Sequence, residues 1–282
     1  MQETEIKLHG LRFQVCQWGI TGNPTIVILH GWVDQAFAWE PVAEKLSRQG
    51  FRVIAFDQRG YGRTQHIPQC SHYYFPDYII DLDALQKELS LSRFTLIGHS
   101  MGGTVASQYA AICPDNLDNL ILIEGIGIQH ENEKNAFNRY KTHVQQRREK
   151  KTHTPFTSIE AGVQRIRTVH PYIDENWARK LVMRTTNKVE EGYIWSWDSR
   201  HRERSAIGFD RNRYLFLLTQ ITAPTYVILA NQSWYQRLSD LDTRIDALPN
   251  LKRRLTISGG HSQHYENPTR LSHIILDCLQ HE

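Results

Sequence analysis

A chain of 282 residues, 40% of them hydrophobic, is long enough for one large domain or a domain with an insert. No apolar run reaches the length of a bilayer-spanning helix, and the polar, acidic start Met1-Gln2-Glu3-Thr4-Glu5 has no secretory character. A net charge of +3 is too small to point to nucleic acid, and the four cysteines (Cys16, Cys70, Cys113, Cys278) show neither metal spacing nor a disulfide framework, so a cytoplasmic protein with no metal, cofactor, nucleic-acid or membrane partner is expected.

Residues 5–18 alternate loosely in polarity and read as a hairpin turning near His9-Gly10. Thr25-Ile26-Val27-Ile28-Leu29 is a continuous apolar run, as suits a strand buried on both faces of a parallel sheet. It ends in His30-Gly31-Trp32. A helix is predicted from about Ala38 to Arg48, closed by Gly50. The next strand, Phe51 to Phe56, ends in Asp57-Gln58-Arg59-Gly60-Tyr61-Gly62, and a helical pattern follows over about Pro76 to Ser90. Arg93 to Ile97 is a strand, and Thr104 to Ala111 reads as a helix. Between them lies Gly98-His99-Ser100-Met101-Gly102-Gly103. A Gly-x-Ser-x-Gly at a strand-to-helix turn is the context of a nucleophile elbow, in which the serine hydroxyl stands exposed on a strained backbone. Leu120 to Ile123 is a further buried strand ending at Glu124-Gly125. Strands alternate with helices, so the sheet is mostly parallel and doubly wound.

After Gly127 the pattern breaks. Residues 128–218 hold 18 Lys and Arg against 11 Asp and Glu, a charge of +7, while the rest of the chain carries −4. The sheet pattern resumes at Ala223 to Ala230 and again at Leu251 to Ser258, followed by Gly259-Gly260-His261 and a closing helix. The chain therefore divides into a core, 1–127 with 219–282, and a mostly helical cap, 128–218. The cap should lie over the C-terminal strand ends, where open α/β sheets bind ligands.

A serine hydroxyl needs a base, an orienter for that base, and donors for the oxyanion. His261 is the leading base, since it follows a late strand in the chain order this architecture uses; His264 is the rival. The oxyanion donors should be the backbone N–H groups of Met101, after the serine, and Trp32, after the His-Gly strand. His30 and Gly31 should shape that turn rather than react.

Taken in order, His30-Gly31-Trp32, Asp57 to Gly62, Gly98 to Gly103 and Gly259-Gly260-His261 resemble an α/β-hydrolase-fold protein with a cap domain. The likeness covers about residues 5–127 and 220–282. Ile123 to Gly127 and Trp195-Ser196-Trp197-Asp198 are further similar to the serine hydrolase-like subgroup. The resemblance implies an acid after the strand ending at Ala230, yet Asn231-Gln232-Ser233 offers no carboxylate. Glu124, at the neighbouring strand end, is placed as in haloalkane dehalogenases and is the leading acid. Asp240, Asp242 or no acid at all are the alternatives. Those dehalogenases need a carboxylate nucleophile where Ser100 stands, so the resemblance implies a serine hydrolase of a small or medium ester or related acyl substrate. A cofactor-free dioxygenase of the same fold and a non-catalytic binding member are the competing readings. Trp177, Trp195 and Trp197 are assigned to the cap core in preference to a pocket wall, and the basic excess of the cap to a solvated face in preference to a pocket for an acidic acyl group. Oligomeric state is not specified by the sequence.

Overall fold

The central strands are largely apolar because each divides its side chains between two cores. In the computed structural model, which describes residues 1–149 and 152–280, β3 (Thr25–Leu29) sends Val27 and Leu29 to one side and Ile26 and Ile28 to the other. This is the period of two that a pleated strand imposes. The same division holds for β5 (Phe94–His99), β6 (Leu117–Ile123) and β9 (Thr225–Ala230). With β1 (Gln2–Leu8), β2 (Leu11–Trp18), β4 (Arg52–Phe56) and β10 (Leu251–Ile257) they form one eight-stranded sheet in the order β1-β2-β4-β3-β5-β6-β9-β10. β1 and β2 pair antiparallel, and β2 is antiparallel to β4; from β4 to β10 every pairing is parallel.

One core is covered by helices α2 (Phe75–Glu88) and α3 (Met101–Ile112), the other by α1 (Glu40–Arg48) and α10 (Pro268–Gln280). The register aligns the C-terminal ends of the middle strands. His99 pairs with Ile123 and Ile123 with Ile228. The residues that leave those ends, Ser100 and Glu124, extend the ladder by one step each, through Ser100 N–H to Ile123 O and Glu124 N–H to Ile228 O, both 3.0 Å.

The insert contains α4 (Ala136–Arg148), α5 (Ile159–Val169) and α6 (Glu175–Thr185). Two features differ from the sequence reading. A short antiparallel hairpin joins β7 (Thr186–Val189) to β8 (Gly192–Trp195) through a turn at Glu190-Glu191; its four-residue strands are too short to register as a sheet pattern. And α7 (Arg211–Leu218), assigned to the cap, lies on the core: Tyr214 and Leu218 join the α2–α3 side, and the Tyr214 hydroxyl bonds Ser107 of α3 at 2.7 Å. Helices α5 and α6 in turn bury Val163, Ala178, Leu181 and Val182 in the cluster on the α1–α10 side. Among the described residues no helix is long and apolar enough to cross a membrane.

Candidate active site

Among the described residues, five other than glycine have positive φ, and three of them stand at one end of the sheet: Val33 (φ 53°), Ser100 (φ 53°) and Glu124 (φ 50°). Such conformations cost of order 1–3 kcal/mol each and persist only where surrounding structure over-determines them. For Ser100 the cause is visible in its neighbours. A Cβ on Gly98 would sit 2.5 Å from Gly102 O, and one on Gly102 would sit 2.3 Å from Leu29 O. Strand, turn and helix are therefore packed closer than any other residue permits, and the serine is held at the N-cap of α3 with φ 53°, ψ −116°.

Glu124 is fully buried at the end of β6. Its Oε1 accepts a hydrogen bond from Ala230 N–H at 2.7 Å, and its Oε2 accepts one from His261 Nδ1–H at 3.0 Å. A carboxylate can only accept, so this contact assigns the proton to Nδ1 and leaves Nε2 as the ring's basic nitrogen. Ser233, at the strand end where the resemblance looks for an acid, has its Oγ 3.5 Å from the same Nδ1. Among the described residues no hydrogen bond joins Ser100 Oγ to the imidazole; such contacts commonly tighten only when substrate is bound.

The alternatives weighed from the sequence find other partners. Asp240 is held by Arg211 at 2.6 Å and by the fully buried Arg244 at 2.9 Å; Asp242 pairs with Arg254 on the surface. His264 gives Nε2–H to Asp34 Oδ2 at 3.0 Å. Its ring stacks on Trp39 with centroids 4.6 Å apart and planes at 3°. This second carboxylate–imidazole pair escaped sequence reasoning, because its members lie 230 positions apart. Burial by itself raises the Asp34 carboxyl, but His264 and the Tyr265 hydroxyl overcome it and hold it well below the ordinary range. Asp34, His99 and His264 place ligand-type atoms within 4.8 Å of one another. As arranged, His264 Nε2 is committed to Asp34, and His99 Nε2–H to the His261 carbonyl at 2.9 Å. Burial, reinforced by His264 and His261, keeps His99 neutral, its pKa well below the usual imidazole value.

His30 acts on backbone. It gives Nδ1–H to Gly31 O at 2.8 Å and receives Gln58 N–H on Nε2 at 3.0 Å, and burial lowers its pKa. The turn it shapes ends at Trp32. Neither the Trp32 nor the Met101 N–H is engaged in a hydrogen bond among the described residues.

A cavity of about 570 Å³ opens beside Trp32 and Met101, between core and insert. Aromatic rings dominate its wall, among them Tyr61, Tyr73, Tyr78, Phe209 and Tyr214. His201, from the insert, is stacked between Tyr61 (3.7 Å) and Tyr73 (3.9 Å), and its carbonyl accepts Trp32 Nε1–H at 3.1 Å. The cavity's charged groups are all paired: Arg139 with Glu131, Arg200 with Asp198, Arg213 with Asp210, and Glu203 with Arg147. Among the described residues no unpaired Lys or Arg lines the cavity for an acidic acyl group. Trp177 packs on Phe37 and Trp197 is buried, away from this wall. A hydroxyl on a strained turn, an imidazole oriented by a buried carboxylate, and two unengaged amides together suit attack on a carbonyl carbon.

The fold and this constellation define the class: the alpha/beta hydrolase fold family matches residues 24–268, and the chain belongs to that family. It is similar to a serine hydrolase-like protein from Danio rerio, 26% identical over 285 residues that cover 96% of this chain and 85% of the relative. Serine hydrolase-like protein 2 of Homo sapiens is 25% identical, covering 93% and 89%. Epoxide hydrolase 4 of Homo sapiens is 33% identical over a shorter stretch of 118 residues, 42% of this chain and 32% of the relative. Among solved structures, a thioesterase domain from the curacin biosynthetic pathway superposes with a TM-score of 0.89 at 30% identity, covering 98% of this chain and 99% of that one.

Proposed function

We propose that the protein is a serine hydrolase that cleaves an uncharged, small to medium ester or related acyl substrate through an acyl-enzyme. The observation that carries the reading is the contact between the buried Glu124 carboxylate and His261 Nδ1, made at the strand end next to the Ser100 elbow. Ser100 Oγ attacks the carbonyl carbon, and its proton passes to His261 Nε2. Glu124 keeps the tautomer that makes this possible and stabilises the imidazolium. The oxygen that gains charge is received by the N–H groups of Trp32 and Met101. The imidazolium then returns the proton to the departing oxygen or sulfur as the carbonyl bond to it breaks. Water enters by the same route and attacks the acyl carbon, giving a proton to His261, which passes it to Ser100 Oγ as the acyl bond breaks and the acid leaves. The aromatic wall and fully paired charges of the cavity favour an acyl group without charge, because a buried carboxylate there would find no partner.

The test is a fluorophosphonate label with a panel of acyl-chain lengths. The wild type should be captured covalently at Ser100 and should hydrolyse neutral esters in preference to acidic ones. A folded protein that neither reacts with the label nor turns over any ester refutes the reading.

A further inference from the structure

We infer that Asp34 is a positioning residue that locks the loop bearing the Trp32 amide to the loop bearing His261; the inference rests on the serine-hydrolase reading above. Asp34 lies two residues after Trp32 and is buried. Its Oδ1 accepts Gln35 N–H at 2.8 Å and the Tyr265 hydroxyl at 2.5 Å, and its Oδ2 accepts His264 Nε2–H at 3.0 Å. One carboxylate therefore holds its own turn and, at the same time, two consecutive side chains of the segment directly after His261.

Each side of this clamp has something to restrain. On the Trp32 side stands Val33, a β-branched residue at φ 53°. A branched side chain in that region is a true outlier that relaxes when released. The strained turn leaves the preceding Trp32 N–H, unengaged among the described residues, free for a ligand. On the other side, Ser262 O caps the turn of Tyr265 and Glu266, so the short helix α9 (Gln263–Glu266) moves with His261. His99, whose ring lies 4.8 Å from that of His264, holds the His261 carbonyl from beneath. Cutting the clamp lets Val33 leave the left-handed region, and the Trp32 peptide turns with it. The cost falls where charge develops on the substrate oxygen, not where the neutral substrate binds.

The experiment compares wild type, Asp34→Ala, Asp34→Asn and Asp34→Ala/Val33→Gly for kcat and KM on a neutral ester. It adds the inhibition constant of an alkyl boronic acid, whose tetrahedral adduct on Ser100 sets an oxygen against the two amides. Asp34→Ala should lose on the order of a hundredfold in kcat with KM little changed, as expected for one misplaced oxyanion donor. Boronate affinity should fall in parallel. Asp34→Asn should keep most of the activity. Its carbonyl accepts from Gln35 and Tyr265, and its amide donates to His264 in the other tautomer. Val33→Gly should restore at least part of the loss in the Ala background, since glycine holds φ near +50° without the clamp. A merely stabilising Asp34 would change the folded fraction while leaving boronate affinity and kcat of the folded enzyme unmoved, and that result overturns the inference. So does an Asp34→Ala enzyme with wild-type kcat in a protein that labels at Ser100. A wild type that neither labels nor hydrolyses removes the underlying reading and this inference with it.

Discussion

Replacing Glu124 by Gln keeps volume and shape and changes only what the end of the side chain offers. The carboxylate receives two donors, Ala230 N–H at 2.7 Å and His261 Nδ1–H at 3.0 Å. An amide has one oxygen to share between them. If that oxygen stays with Ala230, the NH2 faces Nδ1, the ring takes the opposite tautomer, and Nε2 carries a proton that blocks it as a base. If it turns to His261, the NH2 opposes a backbone N–H in a fully buried place, at about 1–3 kcal/mol. The first arrangement leaves no buried clash, so the wrong tautomer should dominate, and the imidazolium loses its counter-charge. The expected loss in kcat is about ten thousandfold, or roughly 5.4 kcal/mol in barrier. The loss in stability should be much smaller. Steady-state hydrolysis of a chromogenic neutral ester measures the first, and thermal unfolding the second. Ser233 Oγ lies 3.5 Å from the same nitrogen, so Glu124→Gln/Ser233→Asp should recover at least tenfold by accepting from Nδ1 at the other strand end. A folded Glu124→Gln enzyme that keeps more than a tenth of wild-type kcat would refute the assignment of the acid.

Ser100→Ala should cost on the order of a million-fold in turnover if chemistry limits the rate, with an unchanged circular dichroism spectrum; ready turnover by the folded variant would exclude a serine mechanism. Arg244 is fully buried, with its guanidinium on Ile126 O, Ile128 O and Asp240. Arg244→Ala should therefore destabilise by about 3–5 kcal/mol in urea unfolding, because it strands buried acceptors and a carboxylate; a loss below 1 kcal/mol would contradict that account. Burial lowers the His201 pKa to about 3 and that of His170 to about 4. In this window the unfolded chain binds the protons that the folded one refuses. Stability should be full above about pH 6.5 and fall as pH drops towards 4. His201→Phe keeps a ring between Tyr61 and Tyr73 and should flatten that slope in urea titrations; an unchanged slope would assign the acid lability elsewhere.

The elements of the core were legible because their signals are local. Val27 and Leu29 face one way, and Ile26 and Ile28 the other, and a strand buried on both sides must be apolar throughout. The elbow was legible because Gly98 and Gly102 mark close backbone approach within five residues. Glu124 could be singled out by subtraction, given a strand end with no carboxylate at 231–233 and a neighbouring strand end that has one. Asp34 could not. Its partners His264 and Tyr265 lie at the far end of the chain, and an Asp in a loop after a strand is ordinarily a surface residue. The position of α7 was hidden for a similar reason. A helix of eight residues that follows an Arg-rich turn reads as insert until Tyr214 is seen against Ser107.

Placing the carboxylate at the end of β6 has a consequence for how the molecule could be divided. In the proposed mechanism, Ser100, Glu124 and the Trp32 and Met101 amides all precede residue 127, and the part of the chain after the insert would contribute a single reacting group, the imidazole of His261. A cut made in the exposed insert would yield two fragments, neither able to complete the reaction and each lacking what the other holds. The link between them runs through β9 and β10, which dock beside β6 by parallel pairing and bury Ile228 and Ile257 as they do so. Reassociation of the halves would then be read directly as the return of a general base to a waiting hydroxyl.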